Sequence, residues 1–505
     1  AVDVFNTYNG IRGGEGNDTL TGGQGRDQIV GDKGNDTISG GADRDTLIGG
    51  YAVVISHSPS PIGFSHVFAR QGDDGVDTLR GGGGRDELYG GTNADKLYGE
   101  ADNDTLRGDA GNDRLDGGDG DDLLDGGTGS DDMYGGAGAD NADYSSRTAG
   151  VTVGIGTYAD DGEAGEKDNV RTDVENITGG RGNDVLTGSA ANNVLVGYGG
   201  NDKLYGLAGN DGLYGGDGND LLSGGDGVDT LDGGFGADDM SGGAGVDTIS
   251  YASHDLYDIE GEIDPSGVGV TVGLGSVADD GAPGEGDNAR GDVENLAGTA
   301  YDDVLRGSDA ANSIKGGGGN DQLVGLGAND TLDGGDGDDV LDGGAGNDKL
   351  TGGLGNDFLD GGTGTDDLSG GGDYDYASYL TRTKSVTVTL NNLADDGEAN
   401  EKDNVRADIE TLVGGLAADK LTGNAADNLL DGGPGDDLLN GGGGNDTLIG
   451  EAGRDRLYGE AGDDTLYGAT DVTSDNAPDY LDGGTGFDGA RVETGDATYS
   501  IEERF

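Results

Sequence analysis

The sequence predicts an all-β fold: a right-handed parallel β-roll, or β-solenoid, with about 18 residues per coil. It is expected to be rod-like and to carry interposed strand-containing connector segments. Three observations carry this. A nine-residue unit recurs along most of the chain. Each unit opens on two glycines and holds an aspartate sixth and an aliphatic residue eighth, as in GGDGDDVLD, GGAGNDKLT and GGLGNDFL between Gly334 and Leu359. A longer motif recurs three times between blocks of that unit. A fixed short period outranks any local propensity, because each unit can bury its apolar face only against its neighbours.

Each part of the unit has a physical reason. Glycines at positions one, two and four permit positive φ and close backbone approach, so six residues can make a tight turn. The other three, often Thr-Leu-Xaa or Leu-Leu-Xaa, suit a short strand with its middle side chain pointing inward. Leu332, Leu341, Leu350 and Leu359 are then core positions, and two files of such residues facing each other make a flattened roll. The turns bring Asp330, Asp339, Asp348 and Asp357 into rows at about the 4.8 Å strand spacing. Bare carboxylates so close repel. Calcium resolves the conflict, since it takes about 6–8 oxygens from carboxylates and carbonyls, and glycine-rich turns expose carbonyls.

Composition agrees. Of 505 residues 114 are glycine, 5% are aromatic, and the net charge is −73. A core of ordinary size would need more apolar mass, and so acidic a chain is expected to be disordered without metal. With about 35 units each holding on the order of one Ca²⁺, bound charge would nearly cancel the deficit. Basic patches are absent, which excludes nucleic acid as a partner. There is no cysteine, so metal must do the stapling that disulfides do elsewhere. No apolar run is long enough for a transmembrane helix, so membrane insertion is not expected. The chain opens on Ala1, as expected of a processed, trimmed or partial sequence.

In chain order, the N-terminal array spans 1–143. Residues 1–12 read as an incoming strand. The units that follow carry Asp18, Asp27, Asp36 and Asp45, then, after an insertion at 51–71, Asp77, Asp86, Asp95, Asp104, Asp113, Asp122, Asp131 and Asp140. The insertion holds His57, His66, Phe64 and Phe68; it reads either as a loop folded over the roll or as a contact patch. Three modules follow, each a connector plus a new array, at 144–250, 251–378 and 379–467. Their sixth-position aspartates are Asp184, Asp202, Asp211, Asp220, Asp229, Asp238 and Asp247; then Asp303, Asp321, Asp330, Asp339, Asp348, Asp357, Asp366 and Asp375; then Asp419, Asp437, Asp446, Asp455 and Asp464. These aspartates are the candidate metal ligands.

The connectors match one another. Tyr144-SSRTAGVTV aligns with Tyr379-LTRTKSVTV, and Tyr251 opens a longer third copy. Each runs on through ADDG (Asp160, Asp279, Asp395), DN (Asp168, Asp287, Asp403) and a VEN-like end (Glu175, Glu294, Glu410). They read as wider coils or as lateral knobs. The second unit after each has Asn193, Asn312 or Asn428 at position six, a shared defect that marks duplication and predicts a weak or missing calcium site. Residues 468–505 lose the period and are expected to cap the roll.

The nonapeptide resembles the repeat of RTX proteins over nearly the whole chain. That resemblance implies many calcium ions as cofactor, secretion by a type I system of a Gram-negative bacterium, and folding outside the cell or at its surface. No G-x-S-x-G, H-E-x-x-H or P-loop is present, so no catalytic residue is expected. The function read from sequence is an extracellular calcium-binding structural protein: surface layer, matrix, adhesin or filament subunit. Its partners would be calcium ions, with further copies meeting end to end or cell-surface polysaccharide as candidates. The alternative is the non-catalytic repeat region of a secreted enzyme or toxin.

Overall fold

The computed structural model describes residues 10–50, 52–54, 68–70, 75–156, 158–255, 268–275, 280–469, 477–492 and 495–504. Among them there is no α-helix, only short strands and a 3-10 turn at Ala252–Asp255. The chain divides into two compact units, Ala1–Asp247 and Thr248–Phe505. Each is a parallel β-solenoid.

In the first unit the strands Thr19–Gln24, Thr37–Ala42, Thr78–Gly83, Lys96–Ala101, Arg114–Asp119 and Asp132–Ala137 stack in parallel as one wall. Gly10–Glu15, Gln28–Lys33, Thr46–Ile48, Glu87–Thr92 and Thr105–Gly111 form the facing wall. The second unit repeats the plan, with Ser313–Gly318, Thr331–Asp336, Lys349–Leu354 and Asp367–Gly372 on one wall. Val304–Arg306, Gln322–Val324, Val340–Asp342 and Phe358–Asp360 form the other. Register is set by the unit itself: Leu332 lies beside Leu350, and Leu350 beside Leu368.

The core sits between the walls and consists of position eight. Leu332, Leu341, Leu350 and Leu359 are each 0% exposed, while their strand neighbours at positions seven and nine point outward in the pleat. The narrowing expected near the end of the first array is present, with Met133 and then Ala142 in the core.

The insertion leaves the ladder unbroken. Thr37–Ala42 pairs directly with Thr78–Gly83, and Thr46–Ile48 with Glu87–Thr92. Ala52–Val54 and Phe68–Arg70 pair antiparallel; His57, Phe64 and His66 lie outside the described residues, as does most of the stretch 1–12.

The connectors are also threaded into the ladder. Asn169–Val170 pairs with Asp132–Ala137, Asn176–Thr178 with Asn141–Asp143, and Val151–Gly154 with Val185–Thr187. Val170 and Ile177 fill the core places that position eight fills elsewhere, each at 0% exposure. The segment 379–413 repeats these pairings. Residues beyond 468 extend the stack: Tyr480–Asp482 pairs with Arg456–Ala461, and Gly489–Arg491 with Thr465–Tyr467.

A single leucine per nine residues makes each one costly to lose. Leu350→Ala is expected to destabilise the calcium-loaded fold by about 2–5 kcal/mol, read from the midpoint of denaturant unfolding; a shift within error would mean the core is not where the stack is held.

Candidate metal-binding turns

Each turn between walls is built from positions one to six. In the turn beginning at Gly334, Gly335 and Gly337 have φ of +112° and +135°, conformations closed to most side chains. Carbonyl oxygens of the previous coil, from Gly317 and Gly319, point straight at these two residues, so a Cβ on either would collide with them. Position one is crowded differently. A Cβ on Gly352 would meet the Oδ2 of Asp357 and, at 2.6 Å, the carbonyl oxygen of Gly370 one coil on. The glycines therefore let main-chain and carboxylate oxygens converge on the space between successive turns.

The sixth-position aspartates form ladders along both edges. Within each file, every aspartate after the first offers Oδ1 to the main-chain N–H of the aspartate one coil earlier. Asp18, Asp36, Asp77, Asp95, Asp113 and Asp131 make one file, and Asp27, Asp45, Asp86, Asp104, Asp122 and Asp140 the facing one. The same bonds link Asp184, Asp202, Asp220 and Asp238, and Asp211, Asp229 and Asp247. In the second unit they link Asp303, Asp321, Asp339, Asp357 and Asp375. They likewise link Asp330, Asp348 and Asp366, then Asp419, Asp437 and Asp455, and Asp446 with Asp464. Apart from half-buried Asp27, all are buried.

The other oxygen is the chemical problem. Oδ2 of Asp104, Asp113, Asp220, Asp339, Asp348 and Asp437 is buried and accepts no hydrogen bond. A buried carboxylate oxygen with nothing opposite it is expensive. Burial, reinforced by the like charges one coil above and below, pushes Asp104, Asp113, Asp366 and Asp437 up to about 8, against the pull of one main-chain N–H each. Among the described residues no three acidic or histidine side chains gather into a cage. The donor set is thus one carboxylate per turn plus main-chain carbonyls. All donors are oxygen, which suits a hard cation that accepts many oxygens in flexible geometry, as calcium does.

The ladder also contains residues that sequence reasoning did not assign to it. Asp168 and Asp403 take the next place after Asp131 and Asp366, and Glu175 and Glu410 follow Asp140 and Asp375. Asp479 and Asp488 continue the files from Asp455 and Asp464. The DN and VEN motifs were the available signal, displaced from the nine-residue count by the length of the connectors. Asp161, Asp280 and Asp396 are structural: each accepts two main-chain N–H groups, from Gly154 and Val170, Gly273 and Ala289, and Thr389 and Val405.

The turns after each connector differ. Asp184 accepts N–H groups from Val151 and Gly180, and Asp419 from Val386 and Gly415, so both oxygens of each carboxylate are engaged. Asp303 is held by Val270, Thr299 and the Thr299 hydroxyl. Asn193, Asn312 and Asn428 each donate Nδ2–H to a main-chain carbonyl one coil back, on Glu175, Glu294 and Glu410.

Inside the connectors, Tyr144 donates its hydroxyl to Asp168 and Tyr379 to Asp403. Arg147 is 8% exposed and Arg382 6%, and Arg147 Nη2 stands 3.6 Å from Glu166. Burial holds Asp131 and Asp168 at about 7, and the Arg147 guanidinium pulls both down. Arg382 acts likewise on Asp366 and Asp403.

Two outcomes are expected. Carboxyls raised from 3.8 to about 8 in the metal-free fold favour that fold below pH ~4 and stop doing so as pH climbs through ~8. In chelator, lowering the pH from 8 to 4.5 should therefore raise β-structure in far-UV circular dichroism; a flat profile would contradict the buried-carboxylate geometry. Gly352→Ala should cost about 1–3 kcal/mol by overpacking the turn, seen as a higher calcium midpoint for folding.

Comparison with known families gives one result. The model described as RTX calcium-binding nonapeptide repeat (4 copies) matches residues 12–47, 71–106, 107–142, 178–213, 214–249, 297–332, 315–350, 324–359, 342–377, 406–439 and 440–471. No curated protein matches the chain.

Proposed function

Because this chain belongs to the RTX calcium-binding nonapeptide repeat family, we propose that it is a secreted structural protein whose arrays fold on calcium outside the cell. The observation that carries this is the double file of buried aspartates, each with Oδ1 spent on the neighbouring coil and, at positions such as Asp339 and Asp348, Oδ2 without a partner. Bound calcium supplies positive charge and oxygen coordination between successive turns. The aspartate ladders then do the mechanical work: Oδ1 fixes coil to coil, and the glycine turns hold carbonyls at the same edge.

Calcium scarcity inside the cell would keep so acidic a chain unfolded during export, and millimolar calcium outside would let it stack. The reading as a non-enzyme is supported by the use of the buried acids. The carboxylates of the ladders and of Asp161, Asp280 and Asp396 have places in turn geometry. Surface layer, matrix, adhesin and filament are the roles that a stack of duplicated modules serves, with assembly of copies as the extension of that stacking.

Sedimentation velocity with circular dichroism, in a few millimolar calcium and again in chelator, tests the proposal. A slow, expanded species that becomes compact and β-rich with calcium is expected. Calcium-dependent growth into large assemblies would identify a filament or lattice subunit. An equally compact, β-rich particle in chelator would overturn the reading.

A further inference from the structure

Array turns such as those opening at Gly316, Gly334 and Gly352 share one backbone shape, with positive φ at positions two and four. The shape is kept even where the residue resists: Leu326 and Ala328 have φ of +81° and +67°, strain that persists only where the surrounding structure demands it. The two turns after each connector abandon that shape. Gly180 and Gly182, Thr299 and Tyr301, Ser308 and Ala310, and Asn424 and Ala426 all lack positive φ. With the peptide turned, the position-two N–H faces the sixth side chain. Gly180 donates to Asp184 at 2.7 Å, Ser189 to Asn193 at 2.6 Å and Ser308 to Asn312 at 2.7 Å.

Donors thus replace acceptors at the spot where array turns gather oxygens. The asparagine amide adds a second donor, to the Glu175 carbonyl at 2.6 Å and the Glu294 carbonyl at 2.7 Å. On the far side of two junctions stands a buried guanidinium, Arg147 or Arg382, with a tyrosine hydroxyl on the ladder carboxylate beside it.

We propose that the module junctions are metal-independent: amide and main-chain N–H groups occupy the place that a cation takes in the arrays, with a buried guanidinium charge near two of them, so each junction folds first and the calcium-dependent coils grow from it. This rests on the reading that the arrays need calcium. Each connector then acts as a seed from which a new array stacks, which removes the cost of nucleating a long stack at one end.

Hydrogen–deuterium exchange on the full chain, with calcium and with chelator, tests it. In chelator, peptides from 168–196 and 403–430 should exchange at least ~10-fold more slowly than peptides from 202–247 and 321–375. Equal fast exchange everywhere would overturn the proposal while leaving calcium-driven folding intact. Equal slow exchange everywhere would overturn both. A variant carrying Ser308→Gly, Ala310→Gly and Asn312→Asp should convert that turn to the array type: it should bind more calcium per chain and lose its protection in chelator. Unchanged calcium content and protection would count against the proposal, and calcium-loaded circular dichroism identical to the parent would show that the variant folds.

Discussion

One constraint governs this molecule: stacking coils at strand spacing places a buried carboxylate directly over the next. In array turns such as those of Asp339 and Asp348 the main chain satisfies only half of the aspartate. Oδ1 of Asp357 takes the N–H of Asp339, a bond that also sets the register of the coil, but Oδ2 of Asp357 is left against the position-one glycine of its own turn. A neutral partner there would waste the carbonyls that converge on the same space. A divalent cation would satisfy both at once, and the glycines leave the room it would need.

The repeat made the fold and most of the ladder legible. A glycine pair, an aspartate and an aliphatic residue in fixed register leave little freedom about which side chain points in, since the strand has only three residues and one of them is apolar. Leu341 and Asp348 could be placed from spacing alone, and both are buried where spacing put them. Spacing failed to follow the ladder where counting stops working. Asp168 follows Asp131 after 37 residues instead of 18, because the connector loops out and returns. Asp479 and Asp488 follow Asp455 and Asp464 after 24. A ladder is defined by hydrogen bonds between neighbours in space, and an insertion on the outside of a coil changes the count without changing the neighbour.

The substitution of asparagine for aspartate was visible in the sequence, but its mechanism was not. Asn193 looks like a lost ligand. In the structure it is an exchange of sign: its amide donates where its neighbours accept, and the backbone around it has rotated to match. Leu326 and Ala328 show that a missing glycine alone does not cause this, because they hold the strained turn. At Ser308 and Ala310 the rotated backbone is matched by Asn312, which offers an acceptor to the Ser308 N–H and a donor to the Glu294 carbonyl; Gly180 and Gly182 take the same form over Asp184, so adjacency to the connector is what these turns share.

These two kinds of turn divide the work of holding so thin a core. One aliphatic side chain for every nine residues gives little return for ordering the backbone, so on the proposed reading array coils lean on bound calcium. The junctions lean on groups the chain carries with it, and they bury more apolar surface per coil: Val151, Val153, Val170, Val174 and Ile177 are all within 1% of full burial. The same segments that interrupt the repeat are therefore the ones least dependent on calcium. A chain of arrays alone would stack only as fast as its first coil could form with metal; one divided by three connectors can begin at each of them.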